Sequence, residues 1–139
     1  MRVVDASTLC DFLLGRDEAL SALTDDPASA HEPLHAPEVI ELEVLNALRR
    51  LLRQGLVSSD RAAEAVADLG DVRLVRYPHG PLRDRVWDLR DRLSAYDAAY
   101  VALAEALGDS ILLTSDTGLA SRARVLLGRL RVRHIPSPT

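Results

Sequence analysis

Short apolar runs that stop at a polar or acidic residue alternate along this chain with longer stretches whose apolar positions recur every three to four residues. Arg2-Val3-Val4-Asp5 predicts a buried strand, and Ser7 then opens a short helix ending at Gly15, a natural C-cap. A second short helix is expected over roughly 17–25. Asp26 to Pro33, with two prolines, reads as a loop and as the loosest part of the chain. Leu34-His35-Ala36 is a short strand, and Pro37 suits the first turn of a long helix that stops at Gly55. Ser58-Ser59-Asp60 caps another helix to about Leu69, closed by Gly70. The alternation of Val72-Arg73-Leu74-Val75-Arg76-Tyr77 predicts a strand. A helix is expected over about 81–93, and another from Ser94 to Leu107, closed by Gly108. Ile111 to Thr114 is a buried strand, a helix begins near Thr117, and Leu130 to Ile135 is a last strand.

Strands alternating with helices imply a parallel sheet covered on both faces, with ligands bound beyond the carboxyl ends of the strands. At 139 residues the chain is expected to form one domain around one core. Apolar residues make up 47% and charged residues 27%, ordinary for a globular protein. No apolar run approaches the roughly 18 residues that span a bilayer, so no membrane role is expected. The opening residues read as a strand and not as a signal peptide. The single cysteine, Cys10, permits no internal disulfide; it fits a reducing cytoplasm and a place in the core of the first helix.

All 17 basic residues are arginine. A chain without lysine excludes a P-loop NTPase, which needs its phosphate-binding Lys, and a Schiff-base enzyme. A receiver domain with its invariant lysine is excluded on the same ground. The net charge of −4 gives no general attraction for nucleic acid, so local arginine clusters matter more. Arg49, Arg50 and Arg53 form one such cluster on the long helix, and Arg122, Arg124, Arg129, Arg131 and Arg133 another near the C-terminus.

Four acids stand where this alternation brings them to one sheet edge: Asp5, Glu43, Asp97 and Asp116. Each has a structural alternative. Asp5 ends a strand, where an Asx-turn is common. Glu43 lies beside Asn46 at the margin of the stripe formed by Ile40, Val44, Ala47, Leu48 and Leu51, one further turn from Arg50, with which it could simply pair. Glu41 points about 160° away and serves a different surface. Ser94-x-x-Asp97 has the form of a capping box, and Asp116 that of an N-cap. Taken together, four carboxylates at one edge repel one another unless a hard cation neutralises them. Mg²⁺ and Mn²⁺ prefer oxygen ligands and serve phosphate chemistry. Ser7 and Thr114 are positioned to add hydroxyls. The four histidines show no zinc pattern, no nucleophile elbow is visible, and Asp5 has no acid two residues later, as an aspartyl phosphatase would need.

The segments Val3-Val4-Asp5-Ala6-Ser7, Pro37 through Leu48, Leu93 through Ala104 and Leu113 through Leu119 resemble the PIN-domain ribonucleases of the VapC toxin type. Ser94-Ala95-Tyr96-Asp97 and Glu43-Val44-Leu45-Asn46-Ala47-Leu48 are the most specific parts. The resemblance implies a three-layer α/β/α fold with a mainly parallel sheet of four to five strands over 1–139. It implies endonucleolytic RNA cleavage dependent on Mg²⁺ or Mn²⁺, a homodimer, and a cognate VapB-type antitoxin whose C-terminal segment enters the acidic groove. The family's acidic quartet falls on Asp5, Glu43, Asp97 and Asp116, and its accessory hydroxyls on Ser7 and Thr114. Asn46 is a further accessory candidate beside Glu43, and if the cleft cuts RNA the cluster Arg49, Arg50 and Arg53 supplies natural phosphate contacts. One departure is Thr117-Gly118, where relatives often carry basic residues. The rival expectations are a catalytically silent binding module of the same fold, and a metal-dependent nuclease or phosphatase outside toxin–antitoxin biology.

Overall fold

The computed structural model describes residues 1–138. Five strands, β1 (Arg2–Val4), β2 (Leu34–Pro37), β3 (Leu74–Tyr77), β4 (Ile111–Thr114) and β5 (Val132–His134), form one sheet in the order β3-β2-β1-β4-β5. Every pairing is parallel, with Val3 opposite His35 on one side and Leu112 on the other. The chain builds outward from β1 to β3, then returns to place β4 on β1's free side. The β1–β4 junction is therefore a topological switch point, where parallel sheets open a crevice at their carboxyl ends.

Two helical layers cover the sheet. Helices α1 (Ala6–Leu13), α2 (Asp17–Thr24), α3 (Ile40–Arg53) and α4 (Ser59–Asp71) pack together, as do α5 (Arg83–Asp88), α6 (Ala95–Ala106) and α7 (Thr117–Leu127). The core holds Val3, Val4, Leu9, Ile40, Val44, Tyr100, Val101, Leu103, Leu112 and Leu119 among others. Cys10 lies in it as expected, and burial pushes its thiol up to about 11, which leaves it protonated and inert. Among the described residues no helix is long and apolar enough to cross a membrane.

Several local expectations give way to tertiary contacts. Pro37 closes β2 opposite Tyr77 instead of opening the helix, which starts at Ile40. The proline lacks an N–H, and the ladder resumes at Glu38, whose N–H donates to Tyr77 O at 2.9 Å. Gly70 lies inside α4, which runs to Asp71 because Leu69 is packed into the core. The expected helix over 81–93 is a 3₁₀ turn at Gly80–Leu82 followed by the short α5. The segment 26–33 has neither helix nor strand, as expected for a loop; Arg2 donates to Ser29 O and Glu32 O, and Arg73 to His31 O.

Candidate metal centre

The two helical layers meet above the carboxyl ends of β1 and β4. Asp5 and Ser7 come from the β1–α1 turn, Glu43 and Asn46 from α3, Asp97 and Tyr100 from α6, and Asp116 from the start of α7. Together with Ala6, Ala47 and Arg50 they line one cleft of about 200 Å³. All four sequence-predicted acids are thus on the same cavity wall. Arg49 and Arg53 are exposed on α3 and do not line it; of the three arginines put forward as RNA contacts only Arg50 does.

Asp5 is buried and fully hydrogen-bonded. Its Oδ1 accepts from Thr8 N–H at 3.0 Å and from the Ser7 hydroxyl at 2.7 Å, while Oδ2 accepts from the Thr114 hydroxyl. Asp5, and not Ser7, is therefore the N-cap of α1. The freed Ser7 Oγ accepts from Ser115 N–H at 3.1 Å, tying α1 to the β4–α7 turn. Thr114 Oγ1 in turn accepts from Asp116 N–H at 3.0 Å, so one hydroxyl links the two aspartates that follow the central strands. Asp116 is itself the N-cap of α7, accepting from Leu119 N–H at 3.0 Å. Both accessory hydroxyls expected from the sequence are thus oriented on Asp5.

Among the described residues Glu43 pairs with neither Arg50 nor another cation. Tyr100 donates its hydroxyl to Glu43 Oε1 at 2.6 Å, across 57 residues of sequence. Tyr100 is the residue that sequence reading missed; its only local signal is the spacing of three from Asp97, which puts both on one face of α6. Glu41, on the opposite side of α3, pairs with Arg76 of β3, as the helical arithmetic required. Asp97 realises half of the capping box: Ser94 Oγ accepts its N–H at 3.2 Å, while its carboxylate faces Arg122 at 3.7 Å. Gly118 lets that arginine approach, since a Cβ there would stand 3.4 Å from its guanidinium nitrogens and 3.2 Å from Asp116 Oδ1.

Electrostatically the cleft is under-compensated. Burial holds the Asp5 carboxyl above the usual carboxylate range, against the pull of its hydroxyl and N–H donors. Glu43 is raised by burial, drawn back by Tyr100, and raised again by Asp97 and Asp5. Asp97 is raised by burial and by Asp116, with Arg122 opposing. Among the described residues no three acidic, His or Cys side chains are already grouped to hold one ion. Asp5 and Asp116 are each turned to helix N–H groups and Glu43 to Tyr100. The donor set is still all oxygen and short of positive charge, which fits a hard divalent cation and not zinc. Two of the four histidines are used elsewhere: His35 Nδ1 lies 2.7 Å from the Tyr77 hydroxyl, and His79 Nε2 accepts from Val39 N–H.

The parallel sheet and the acidic cleft at its switch point define an α/β class of fold, and comparison with known proteins names it. The PIN domain family matches residues 2–125, and the chain belongs to that family. Within it the chain is similar to the VapC ribonucleases. It is 38% identical to ribonuclease VapC9 of Mycobacterium tuberculosis over 124 residues, 86% of this chain and 93% of the relative. It is 39% identical to VapC1 of the same organism over 120 residues, 86% and 88% of the two chains. The crystal structure of PAE2754 from Pyrobaculum aerophilum superposes with a TM-score of 0.64 at 27% identity, covering 93% of this chain and 88% of that one.

Proposed function

We propose that this chain is an endoribonuclease, the toxin of a VapBC-type toxin–antitoxin pair, that hydrolyses RNA phosphodiester bonds with Mg²⁺ or Mn²⁺ held at the acidic cleft. The observation that carries the reading is the convergence of Asp5, Glu43, Asp97 and Asp116, from four separate elements, on one cleft at the β1–β4 switch point. Asp5, Asp97 and Asp116 would hold the ion, with Glu43 assisting directly or through water, and a hard cation there would supply charge stabilisation at the scissile phosphate and a more acidic water nucleophile.

The chain's own groups do the remainder. Ser7 and Thr114 hold the Asp5 carboxylate in place at the cleft. Tyr100 holds Glu43 toward the cleft and keeps part of its charge stabilised. Asn46, exposed on the rim, and Arg50 meet the substrate from α3. Arg122 stands opposite them beside Asp97.

The partners are an RNA substrate, a VapB-type antitoxin whose C-terminal segment enters the groove, and a second copy of the chain, in the cytoplasm and as one domain. Support for pairing comes from a groove of about 620 Å³ beside α5, next to the exposed Trp87 and Tyr96. From α5 into the turn after it the chain alternates Arg83, Asp84, Arg85, Asp88, Arg90 and Asp91, a charge order that can complement itself across a two-fold axis.

The test is digestion of a mixed cellular RNA pool by the purified chain with Mg²⁺, against EDTA and Asp97→Asn controls. Discrete cuts lost in both controls support the reading. No cutting by folded, antitoxin-free protein supplied with Mg²⁺ or Mn²⁺ moves it to a silent binding module.

A further inference from the structure

The acidic cleft continues beyond its carboxylates. Ser7, Ala47 and Arg50 line it and also line a second depression, about 360 Å³, between α1 and α3. Arg16, Gln54, Leu56 and Ser115 form further parts of that depression's wall. Arg16 comes from the α1–α2 turn and Arg50 from the last turn of α3, so the fold brings together two cations 34 positions apart in the sequence numbering.

Several other arginines near the sheet and its helices are already engaged. Arg2 and Arg131 are spent on backbone carbonyls, Arg61, Arg76 and Arg85 on glutamates, Arg90 on the Trp87 ring. Among the described residues neither the Arg16 nor the Arg50 guanidinium has a hydrogen bond or an ion pair, though both exert their field on Cys10 at the depression's floor. One acid, Asp11, shares the wall. Burial raises its carboxyl, and Ser137 and Arg16 oppose that rise.

We infer that this α1–α3 depression is the subsite for the nucleotide next to the scissile bond, with Arg16 and Arg50 gripping its phosphate. A chain of net charge −4 with an acidic centre repels a polyanion on average, so the strand needs local cations beside the cleft. Guanidinium forks suit phosphate oxygens in pairs. The Ser7 and Ser115 hydroxyls and the Gln54 amide suit sugar hydroxyls and base edges, and Leu56 offers an apolar rest for a base. A depression of this size between two helices admits one strand and not a duplex, so the site selects single-stranded RNA. This deepens the nuclease reading and rests on it for the strand's path, while the binding itself is separately measurable.

The experiment is fluorescence anisotropy in EDTA with a fluorescein-labelled single-stranded RNA of about 12 nucleotides, within the span of known single-strand sites. Arg16→Ala and Arg50→Ala should each weaken binding about fivefold at roughly 0.1 M salt, and flatten the log Kd against log salt slope by about 0.7. Arg50→Lys, which keeps the charge, should keep the slope. Arg92→Ala, exposed in the α5–α6 turn of the other helical layer and lining neither the cleft nor the depression, should change neither quantity. Thermal melts check that each variant is folded. Wild-type affinity in both alanine variants overturns the inference, and so does an equal loss in Arg92→Ala, which would mean diffuse charge. Unchanged RNA binding with lost binding of a Glu-rich peptide would assign the depression to a protein partner instead. A wild-type chain that cuts no RNA defeats the nuclease reading but leaves anisotropy to decide the subsite. A wild-type chain that cuts, with unaltered binding in the variants, defeats the subsite alone.

Discussion

Tyr100 and Glu43 are joined by a 2.6 Å hydrogen bond that crosses from α6 to α3 at the edge of the acidic cleft. The phenol is buried, and burial together with Glu43 pushes its pKa far up, so it remains a donor throughout the working range. Its removal in Tyr100→Phe deletes the one contact that draws the Glu43 carboxyl down. Glu43 then protonates at higher pH, and the acid limb of the pH–activity profile moves toward neutrality. The stability cost should be about 1 kcal/mol, the usual scale for one hydrogen bond. A profile superimposable on wild type would show that Glu43 has no part in the active form.

Asp116 separates two roles by the choice of replacement. Its Oδ1 caps α7 on Leu119 N–H, so Asp116→Ala should lower stability by about 1 kcal/mol, while Asp116→Asn keeps a good cap. Both should lose RNA cleavage by more than the roughly 10- to 100-fold that loss of a supporting partner costs a metal site. Denaturant midpoints beside cleavage rates check this; an active Asp116→Asn protein would remove Asp116 from the ligand set.

Arg122 is the cation paired with Asp97, a wall residue of the cleft, at 3.7 Å. Arg122→Ala should tighten Mn²⁺ uptake by about two- to fivefold, the range of an exposed ion pair, while lowering RNA affinity. Isothermal titration reads the first and anisotropy the second. Weaker Mn²⁺ uptake would mean that Arg122 orders the ligands instead of opposing the ion.

Asp97 supplies a stability test with a fixed sign. Its carboxyl sits above the ordinary value, first through burial and next through Asp116. A group raised on folding adds stability only while protonated, so that contribution is present at acid pH and lost as pH rises through the folded pKa. Metal-free Asp97→Asn should therefore melt above wild type at neutral pH, with the gap closing as pH falls toward the ordinary carboxylate range of about 4. Mg²⁺ should reverse the order by stabilising wild type preferentially. A metal-free variant that melts lower at neutral pH contradicts the argument.

The acids were legible because each announces itself locally. Asp5 and Asp116 follow apolar strands, Asp97 follows a capping serine, and Glu43 sits at a computable angle on α3. The strand–helix alternation likewise gave the parallel sheet, because each signal lies within one element. What could not be read needed contacts between elements. Nothing near Tyr100 in the sequence points to Glu43, and Arg16 shows no tie to Arg50 until α1 and α3 pack. Pro37 carried a valid helix-start signal that strand pairing with Tyr77 overrode. Of the arginines clustered near the C-terminus, Arg131 proved to be a brace, donating to Ala104 O and Ser110 O, and Arg122 an ion partner of Asp97.

Asp5 and Asp116 each hold a helix start as well as facing the cleft, and this shapes how such a chain can lose its chemistry. A drifting copy that puts alanine at either position sheds activity and weakens a helix in the same step, so folding itself selects against it. Asparagine keeps the cap while surrendering the charge. Extinct enzymes descended from this scaffold should accordingly bear amides at positions 5 and 116, a mark of decay that leaves the architecture standing.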